Sequence, residues 1–266
     1  WGCTWQLTEP GTVGEIHESP LHDRASRCRY NPPLELLEKI RRRRIDQHCA
    51  KTSRFVLAWT QTQPFERLQS LCGRSAVLAG LNSGSRSFRD LLGRLHDFFC
   101  REMEIWAATE MDGVVFADDW GASDGLVVGI DLWRDLFQPL YHDYCQILHV
   151  RDKFAFFCSN GDIRPIIPDL IGVGVDALHA DLLQMGVEQI ATAYRGRVTF
   201  WGGLPPRFSE AATQRLPIAE TVGRLRKAFD FGRGGIIAQC QWTPNMSLRT
   251  IATLFESWMT PMPMHA

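Results

Sequence analysis

The hydrophobic positions of this chain form short unbroken runs that alternate with longer stretches of helical period, from residue 54 to residue 258. Unbroken apolar runs of strand length are typical of parallel strands that are covered on both faces. The predicted strands span 55–60, 113–119, 153–159, 176–181, 198–203 and 235–241. The predicted helices span 65–71, 87–109, 131–148, 164–171, 187–194, 218–229 and 247–258. Pro139 is expected to kink the third of these helices.

This alternation of strands and helices predicts a parallel sheet with right-handed crossovers. An open doubly wound sheet would usually carry a phosphate-binding loop after its first strand, and neither G-x-G-x-x-G nor a Walker loop follows residues 55–60. We therefore predict an α/β fold, a (β/α)8 TIM barrel that lacks its N-terminal one or two units in this chain. The prediction treats residues 1–266 as a single domain, with an irregular part over 1–54 and six strand-helix units over 55–258.

The N-terminal part carries turn signals rather than a long helical period. Pro10 and Gly11 lie between two short segments, so residues 1–16 are expected to form a hairpin or an irregular strand pair. The basic run 41–44 lies in a segment with the spacing of a surface helix. A solvated helix face is favoured over a binding patch for that run.

Composition excludes several classes of partner. The formal net charge of −1 and the pI of about 6.8 give no electrostatic footprint for nucleic acid or an anionic membrane. The eight cysteines form no Cys-x-x-Cys pair, which argues against a zinc ribbon and a disulfide-stapled secreted domain. No apolar run reaches the roughly 18 residues of a membrane helix, and no secretory leader opens the chain. A soluble, cytoplasmic protein that acts on a small molecule is predicted.

Two adjacent carboxylates end the most apolar of the predicted strands. Asp118 and Asp119 follow Val114, Val115 and Phe116, and the carboxyl ends of parallel strands are where barrels collect their functional groups. Both aspartates are predicted catalytic residues. Because side chains alternate along a strand, only one of them is expected to enter the mouth as an acid or base, while the other caps a helix or forms an ion pair. A structural role for both is the alternative.

The other predicted strands also end in residues suited to a small-molecule site. Tryptophans with a few polar groups predict a flat, largely apolar cavity, although the same tryptophans could simply close the core. His179 could form a hydrogen bond in the site, and a hydrogen-bonded core histidine explains it equally well. Gly202 could let the backbone approach a ligand closely, and turn geometry alone also explains it. The predicted substrate-binding residues are Trp59, Trp120, Cys158, Asn160, His179, Trp201, Gly202 and Trp242.

Cys158 and Cys240 each end an apolar strand, which gives a second chemical hypothesis. Two thiolates together with His179 or a carboxylate would suit zinc with an open coordination position. Buried cysteines are, however, common and usually inert. Metal binding by Cys158 and Cys240 is therefore an alternative to a site without a metal.

Five segments of the chain resemble the uroporphyrinogen decarboxylase superfamily, which also contains corrinoid-protein:coenzyme M methyltransferases. They are the opening WGCTW with GTVGEIHESPL, the acidic strand end and helix over 113–141, the turn and helix over 158–178, the strand VTFWGGL over 198–204, and the last strand and helix over 234–251. The resemblance implies a (β/α)8 barrel and a homodimer.

The resemblance implies three activities, which stay open. The leading prediction is a cofactor-free decarboxylase that binds a carboxylated, planar or tetrapyrrole-like molecule. The alternatives are a zinc-dependent methyltransferase with a corrinoid protein as partner, and an inactive relative that only binds ligand. The methyltransferases hold zinc through a His-x-Cys pair and a late Cys. Here Cys158 stands at the histidine, Asn160 at the first cysteine and Cys240 at the last ligand. A site without a cofactor is therefore favoured, and zinc is the alternative.

Overall fold

The computed structural model describes residues 1–7, 14–202, 218–230, 234–239 and 246–260. The chain divides into two compact units, each of which is described by itself. Unit 1 comprises Trp1–Asp119, Val127–Cys158 and Pro168–Val175. Unit 2 comprises Trp120–Leu126, Ser159–Ile167 and Asp176–Ala266. The single domain over residues 1–266 stays a prediction.

The predicted N-terminal hairpin is confirmed. Strand β1 (Thr4–Gln6) pairs antiparallel with β2 (Glu15–Glu18), and the predicted turn at Pro10 lies outside the described residues. Helix α1 (Arg24–Arg29), a 3-10 helix (Leu34–Lys39) and α2 (Arg42–Cys49) follow. The basic run thus begins a short helix without buried residues, as expected for a solvated face.

Six further strands follow one another along the chain, three in unit 1 and three in unit 2. Their bounds are β3 Leu57–Trp59, β4 Gly113–Ala117, β5 Phe154–Cys158, β6 Ala177–His179, β7 Thr199–Trp201 and β8 Ile236–Ile237. Within unit 1, β4 pairs in parallel with both β3 and β5. Within unit 2, β7 pairs in parallel with both β6 and β8. Each predicted strand contains one observed strand, and the arrangement is consistent with part of a (β/α)8 barrel.

The helices that accompany these strands are α3 Pro64–Cys72, α4 Arg74–Asn82, α5 Arg86–Ala107, α6 Ile130–Leu136, α7 Gln138–His149, α8 Ile167–Val173, α9 Leu182–Met185, α10 Val187–Tyr194, α11 Ile218–Phe229 and α12 Leu248–Met259. Each predicted helix overlaps an observed one, and two short helices, α4 and α9, lie outside the predicted ranges. The predicted 131–148 helix is two helices, because Pro139 lacks an N–H and occupies the first turn of α7. Within the described ranges, every helix is too short or too polar to cross a bilayer.

Aromatic side chains from β4, β5 and α7 fill the core of unit 1. Phe116, Phe157 and Tyr141 are almost completely inaccessible to solvent, and the Phe157 ring centre lies 5.3 Å from that of Phe116 and 5.1 Å from that of Tyr141. Strand β4 is buried along nearly its whole length, as its unbroken apolar sequence predicts. This packing fixes the carboxyl end of β4, where the predicted aspartates follow.

Candidate active site

The carboxylate of Asp118 caps a helix that lies more than fifty residues earlier in the chain. Its side chain is fully buried and accepts hydrogen bonds from the backbone N–H groups of Phe65, at 3.0 Å, and Glu66, at 2.9 Å. The Tyr141 hydroxyl donates a third hydrogen bond at 2.7 Å. No side chain at the N-terminal boundary of α3 makes this cap. Asp118 therefore satisfies N–H groups that would otherwise be orphaned at the helix start.

Burial raises the pKa of the Asp118 carboxyl well above its ordinary range, and the three hydrogen bonds oppose that rise. This geometry matches the helix-capping role that side-chain alternation left for one of the two aspartates. Both oxygens of Asp118 are occupied by protein donors, and the side chain has no exposed surface. Its predicted catalytic role remains a prediction, and the structure makes a positioning role the simpler one.

The loop that connects β3 to α3 is pinned by buried polar contacts. The Thr60 hydroxyl donates to the Val115 carbonyl at 2.8 Å. The carboxylate of Glu102, which is buried on α5, accepts from the Thr62 hydroxyl at 2.9 Å and from the Gln61 N–H at 3.3 Å. These contacts and the Asp118 cap hold the beginning of α3 in one place, so the side chains of its first turn are fixed relative to the end of β4.

A cavity of about 550 Å³ lies in unit 1 where Asp119 leaves β4 and α3 begins. The hairpin contributes one wall, and α3 and α4 contribute others. Its lining residues are Trp5, Glu15, Ile16, Ser19, Gln63, Glu66, Gln69, Ser70, Gly73, Arg74 and Asp119. Three carboxyl groups and one guanidinium thus line the cavity, together with amide and hydroxyl groups. Of the two predicted catalytic aspartates, Asp119 is the one that reaches this space.

Glu66 is the residue of this cavity that sequence reasoning missed. Burial, followed by the negative charge of Asp119, raises the pKa of Glu66 to about 7, and Arg67 opposes the rise. In the sequence, Glu66 looks like an ordinary acidic residue in the first turn of a helix. Its raised pKa depends on tertiary burial and on Asp119, which follows another strand, so local sequence gives no signal for it.

Cys158 lies at the end of β5, beside the residues that follow β4. The backbone N–H of Asp118 donates to the Cys158 carbonyl at 3.1 Å. Burial, and to a lesser extent Asp119, raises the pKa of the Cys158 thiol to about 12. The predicted gathering of Asp118, Asp119 and Cys158 at one end of the sheet is therefore observed in unit 1.

The predicted metal ligands are not assembled into a site by the described residues. Within the described ranges, no three or more His, Cys, Asp or Glu side chains are grouped so that they could hold a metal ion. Cys240 lies outside those ranges, as does Trp242. Their assignments to metal and to substrate stay predictions.

In unit 2, the residues that follow β4 are held against those that follow β5. The backbone N–H of Trp120 donates to the Ser159 hydroxyl at 3.1 Å, and the Trp120 indole is fully buried. The Gly121 N–H donates to the Asn160 carbonyl at 3.0 Å. A Cβ atom on Gly161, whose φ is +75°, would lie 2.4 Å from the Gly121 carbonyl carbon. Gly161 is required for this close approach, and Asn160 itself is exposed.

The ends of β6, β7 and β8 also meet within unit 2. His179 Nδ1 donates to the Trp201 carbonyl at 2.6 Å, and the two rings lie edge to face with centres 5.8 Å apart. Gly202 has a φ of +87°, and a Cβ atom there would lie 2.3 Å from Gln239 Oε1 and 2.8 Å from His179 Nδ1. His179, Trp201 and Gly202 are thus brought together as predicted. Their substrate-binding role stays a prediction.

Trp59 completes the set of predicted residues. It ends β3 in unit 1, and 60% of its surface is exposed. Trp120, by contrast, is inaccessible to solvent. Of these two tryptophans, only Trp59 presents an indole surface on which a ligand could bind.

One solved structure with a similar fold is described as a methyltransferase from Methanosarcina mazei. It aligns with 97% of this chain and 75% of its own length, at a TM-score of 0.72 and 13% sequence identity. At that identity, the likeness shows a similar fold and does not by itself assign an activity. No protein-family model matches the sequence, and a comparison with curated proteins finds no match.

Proposed function

We propose that this chain is a small-molecule methyltransferase of the uroporphyrinogen decarboxylase superfamily, built on a (β/α)8 barrel. The likeness in fold to the Methanosarcina mazei methyltransferase carries this proposal. The motifs that resemble the superfamily add to it. The solved structure described above supports the methyltransferase alternative better than decarboxylation, the activity that the sequence favoured.

The cavity of unit 1 supports a small-molecule substrate. Its volume of about 550 Å³ falls in the usual range of ligand pockets, about 300–1,000 Å³. It lies beside the carboxyl end of β4, and barrels carry their active sites on the carboxyl side of the strands. Asp119 and Glu66 provide acid-base groups in this cavity.

The charge of the cavity lining favours methyl transfer over decarboxylation of a tetrapyrrole. Glu15, Glu66 and Asp119 contribute carboxyl groups, whereas Arg74 is the one basic residue in the described lining. A substrate with several carboxylates would be repelled, because like charges in a partly desolvated site cost free energy. A neutral or cationic substrate avoids this repulsion.

The described residues fit poorly with a zinc centre at the position that the superfamily resemblance implies. Zinc is bound by deprotonated thiolates and neutral imidazoles. Cys158 has a raised pKa, and Asn160 offers an amide, which is a weak zinc ligand. We therefore propose methyl transfer without routing any step through zinc, and with a methylated corrinoid as the methyl donor.

Methyl transfer from methylcobalamin to small thiols tests the proposal. Loss of the methylcobalamin absorbance and formation of the methyl thioether, detected by mass spectrometry, are the expected results. Replacement of Asp119 by Asn should slow the reaction, whereas Glu188→Gln, which removes a surface ion pair with Arg224 in unit 2, should leave it unchanged. Release of carbon dioxide from uroporphyrinogen without any thioether formation would instead support the decarboxylase.

A further inference from the structure

We infer that unit 2 carries a binding site for a small planar N–H donor, centred on the Nε2 atom of His179. The site lies where β6, β7 and β8 end, and it is formed by His179, Trp201, Gly202 and Gln239. It does not rest on the proposed methyl transfer, because contacts within unit 2 alone carry it. The ligand is recognised by acceptor atoms and by a flat aromatic wall.

One hydrogen bond fixes both the tautomer and the direction of the His179 ring. Its Nδ1 atom lies 2.6 Å from the Trp201 carbonyl oxygen, and Nδ1 must carry the hydrogen because a carbonyl only accepts. In the neutral ring, Nε2 is then unprotonated and offers a lone pair. Within the described part of the chain, Nε2 has no hydrogen-bond partner, and the side chain is only partly buried. The ring therefore presents a directed acceptor to a ligand.

A buried oxygen makes the surroundings of this ring electronegative. The Gln239 Oε1 atom is buried, and no group of the described residues donates a hydrogen bond to it. A Cβ atom on Gly202 would lie 2.3 Å from Gln239 Oε1 and 2.8 Å from His179 Nδ1, so both atoms adjoin one point above Gly202. Together with the Trp201 carbonyl, two oxygens lie near the same edge of the ring. Such weakly screened partial charges attract hydrogen-bond donors and cations.

The Trp201 indole supplies a flat wall beside this acceptor. Its ring centre lies 5.8 Å from that of His179, the two planes make an angle of 61°, and both side chains are partly exposed. Gly202, which has a φ of +87°, adds no side chain of its own, so a ligand can approach the backbone closely. Planar groups pack well on an indole face, and cationic ones gain a further attraction from its π electrons.

The lone pair of His179 Nε2 and the neighbouring oxygens select the ligand by its hydrogen-bonding groups. A carboxylate offers only lone pairs and a negative charge, so it is repelled. A primary amide offers N–H donors together with one acceptor oxygen. An amidinium offers N–H donors alone and a positive charge, which strengthens its hydrogen bonds. Acetamidinium, acetamide and acetate are planar and of nearly equal size, so they should bind in that order of decreasing affinity.

Titration of the full chain with these three probes at pH 8, where an ordinary histidine is neutral, tests the inference. The backbone amide resonance of Gly202, whose N–H donates to the Ile237 carbonyl at 3.0 Å, should shift in a saturable way with acetamidinium. His179→Asn keeps an N–H donor near the position of Nδ1 but removes Nε2, so affinity should fall by about tenfold. His179→Gln can place an amide oxygen near the position of Nε2 and should retain more affinity.

His48→Gln, which changes an exposed histidine of α2 in unit 1, is the matched control and should bind as the wild type does. Nitrogen NMR of the wild-type histidine rings tests the geometry without a ligand and should find the hydrogen of neutral His179 on Nδ1. A hydrogen on Nε2, acetate binding as tightly as acetamidinium, or an affinity unchanged in His179→Asn would overturn the inference. These readouts involve no methyl transfer, so their failure is distinguishable from failure of the proposed function.

Discussion

Replacement of Glu66 by Gln should stabilise the protein at pH 8 and have little effect at pH 4. Burial and the charge of Asp119 raise the pKa of Glu66 from 4.5 to about 7. Between those values the folded state binds more protons than the unfolded state. Folding stability therefore falls as the pH rises from about 4.5 to about 7, and it changes little through Glu66 above that window. Glutamine cannot ionise, so the variant lacks this loss.

The expected magnitude follows from the two pKa values. The interval from 4.5 to about 7 corresponds to about 3 kcal/mol of unfolding free energy. Because Glu66 is only half-buried, solvent screening lowers the expected gain at pH 8 to about 2 kcal/mol. Gln retains the size of the side chain, so packing against the cavity wall changes little.

Urea unfolding monitored by tryptophan fluorescence at a series of pH values from 4 to 8 measures the effect. The difference between the variant and the wild type should grow through the window and then level off. Glu188→Gln is a control of opposite sign, because the hydrogen-bonded Arg224 lowers the pKa of Glu188 to about 2. A difference between Glu66→Gln and the wild type that is the same at pH 4 and pH 8 would refute the assigned environment of Glu66.

Three further predictions concern the groups around the site. Asp118→Ala should destabilise the protein by about 3 kcal/mol in the same unfolding assay, because three donors lose their acceptor; a loss below about 1 kcal/mol would contradict the capping role. Gly161→Ala should cost about 3 kcal/mol through its close backbone contact and positive φ, whereas Gly172→Ala, with open space and a helical position, should be neutral or stabilising. Thiol labelling of the native protein at pH 8 should modify exposed Cys28 first and spare Cys158, whose pKa burial raises to about 12; equal labelling rates would contradict that burial.

The order of strands and helices could be predicted because local sequence patterns mark each of them. Strand β4 is an unbroken apolar run that is buried on both faces, and Pro139 marks the break between α6 and α7. Helix α4 was not predicted. Its sequence is rich in small residues, and the close contact between Gly80 and the Phe88 ring, which leaves no space for a Cβ atom, is a tertiary feature.

The sequence was enough to locate the candidate site, but not to assign separate roles to its two aspartates. The rule that parallel strands share one carboxyl edge correctly placed Asp118, Asp119 and Cys158 together. It could not say which aspartate turns inward to cap α3, because the N–H groups that Asp118 accepts lie on a helix that begins after another strand. Glu66 was missed for the same reason, since its pKa is raised by burial and by Asp119, which follows β4.

Burial is the largest cause of the raised pKa of both unusual carboxyl groups of unit 1, Asp118 and Glu66. An acidic residue in the first turn of a helix normally gains from the partial positive charge of the helix N-terminus, which favours its ionised form. Asp118 already accepts the N–H groups of Phe65 and Glu66, so this charge is compensated before the Glu66 side chain can use it. Asp119, at the cavity wall, adds repulsion instead. Burial and the charge of Asp119 therefore raise the pKa of Glu66 to about 7, close to neutral pH. This is the property that an acid-base residue needs, and it lowers folding stability above the ordinary pKa of a glutamate.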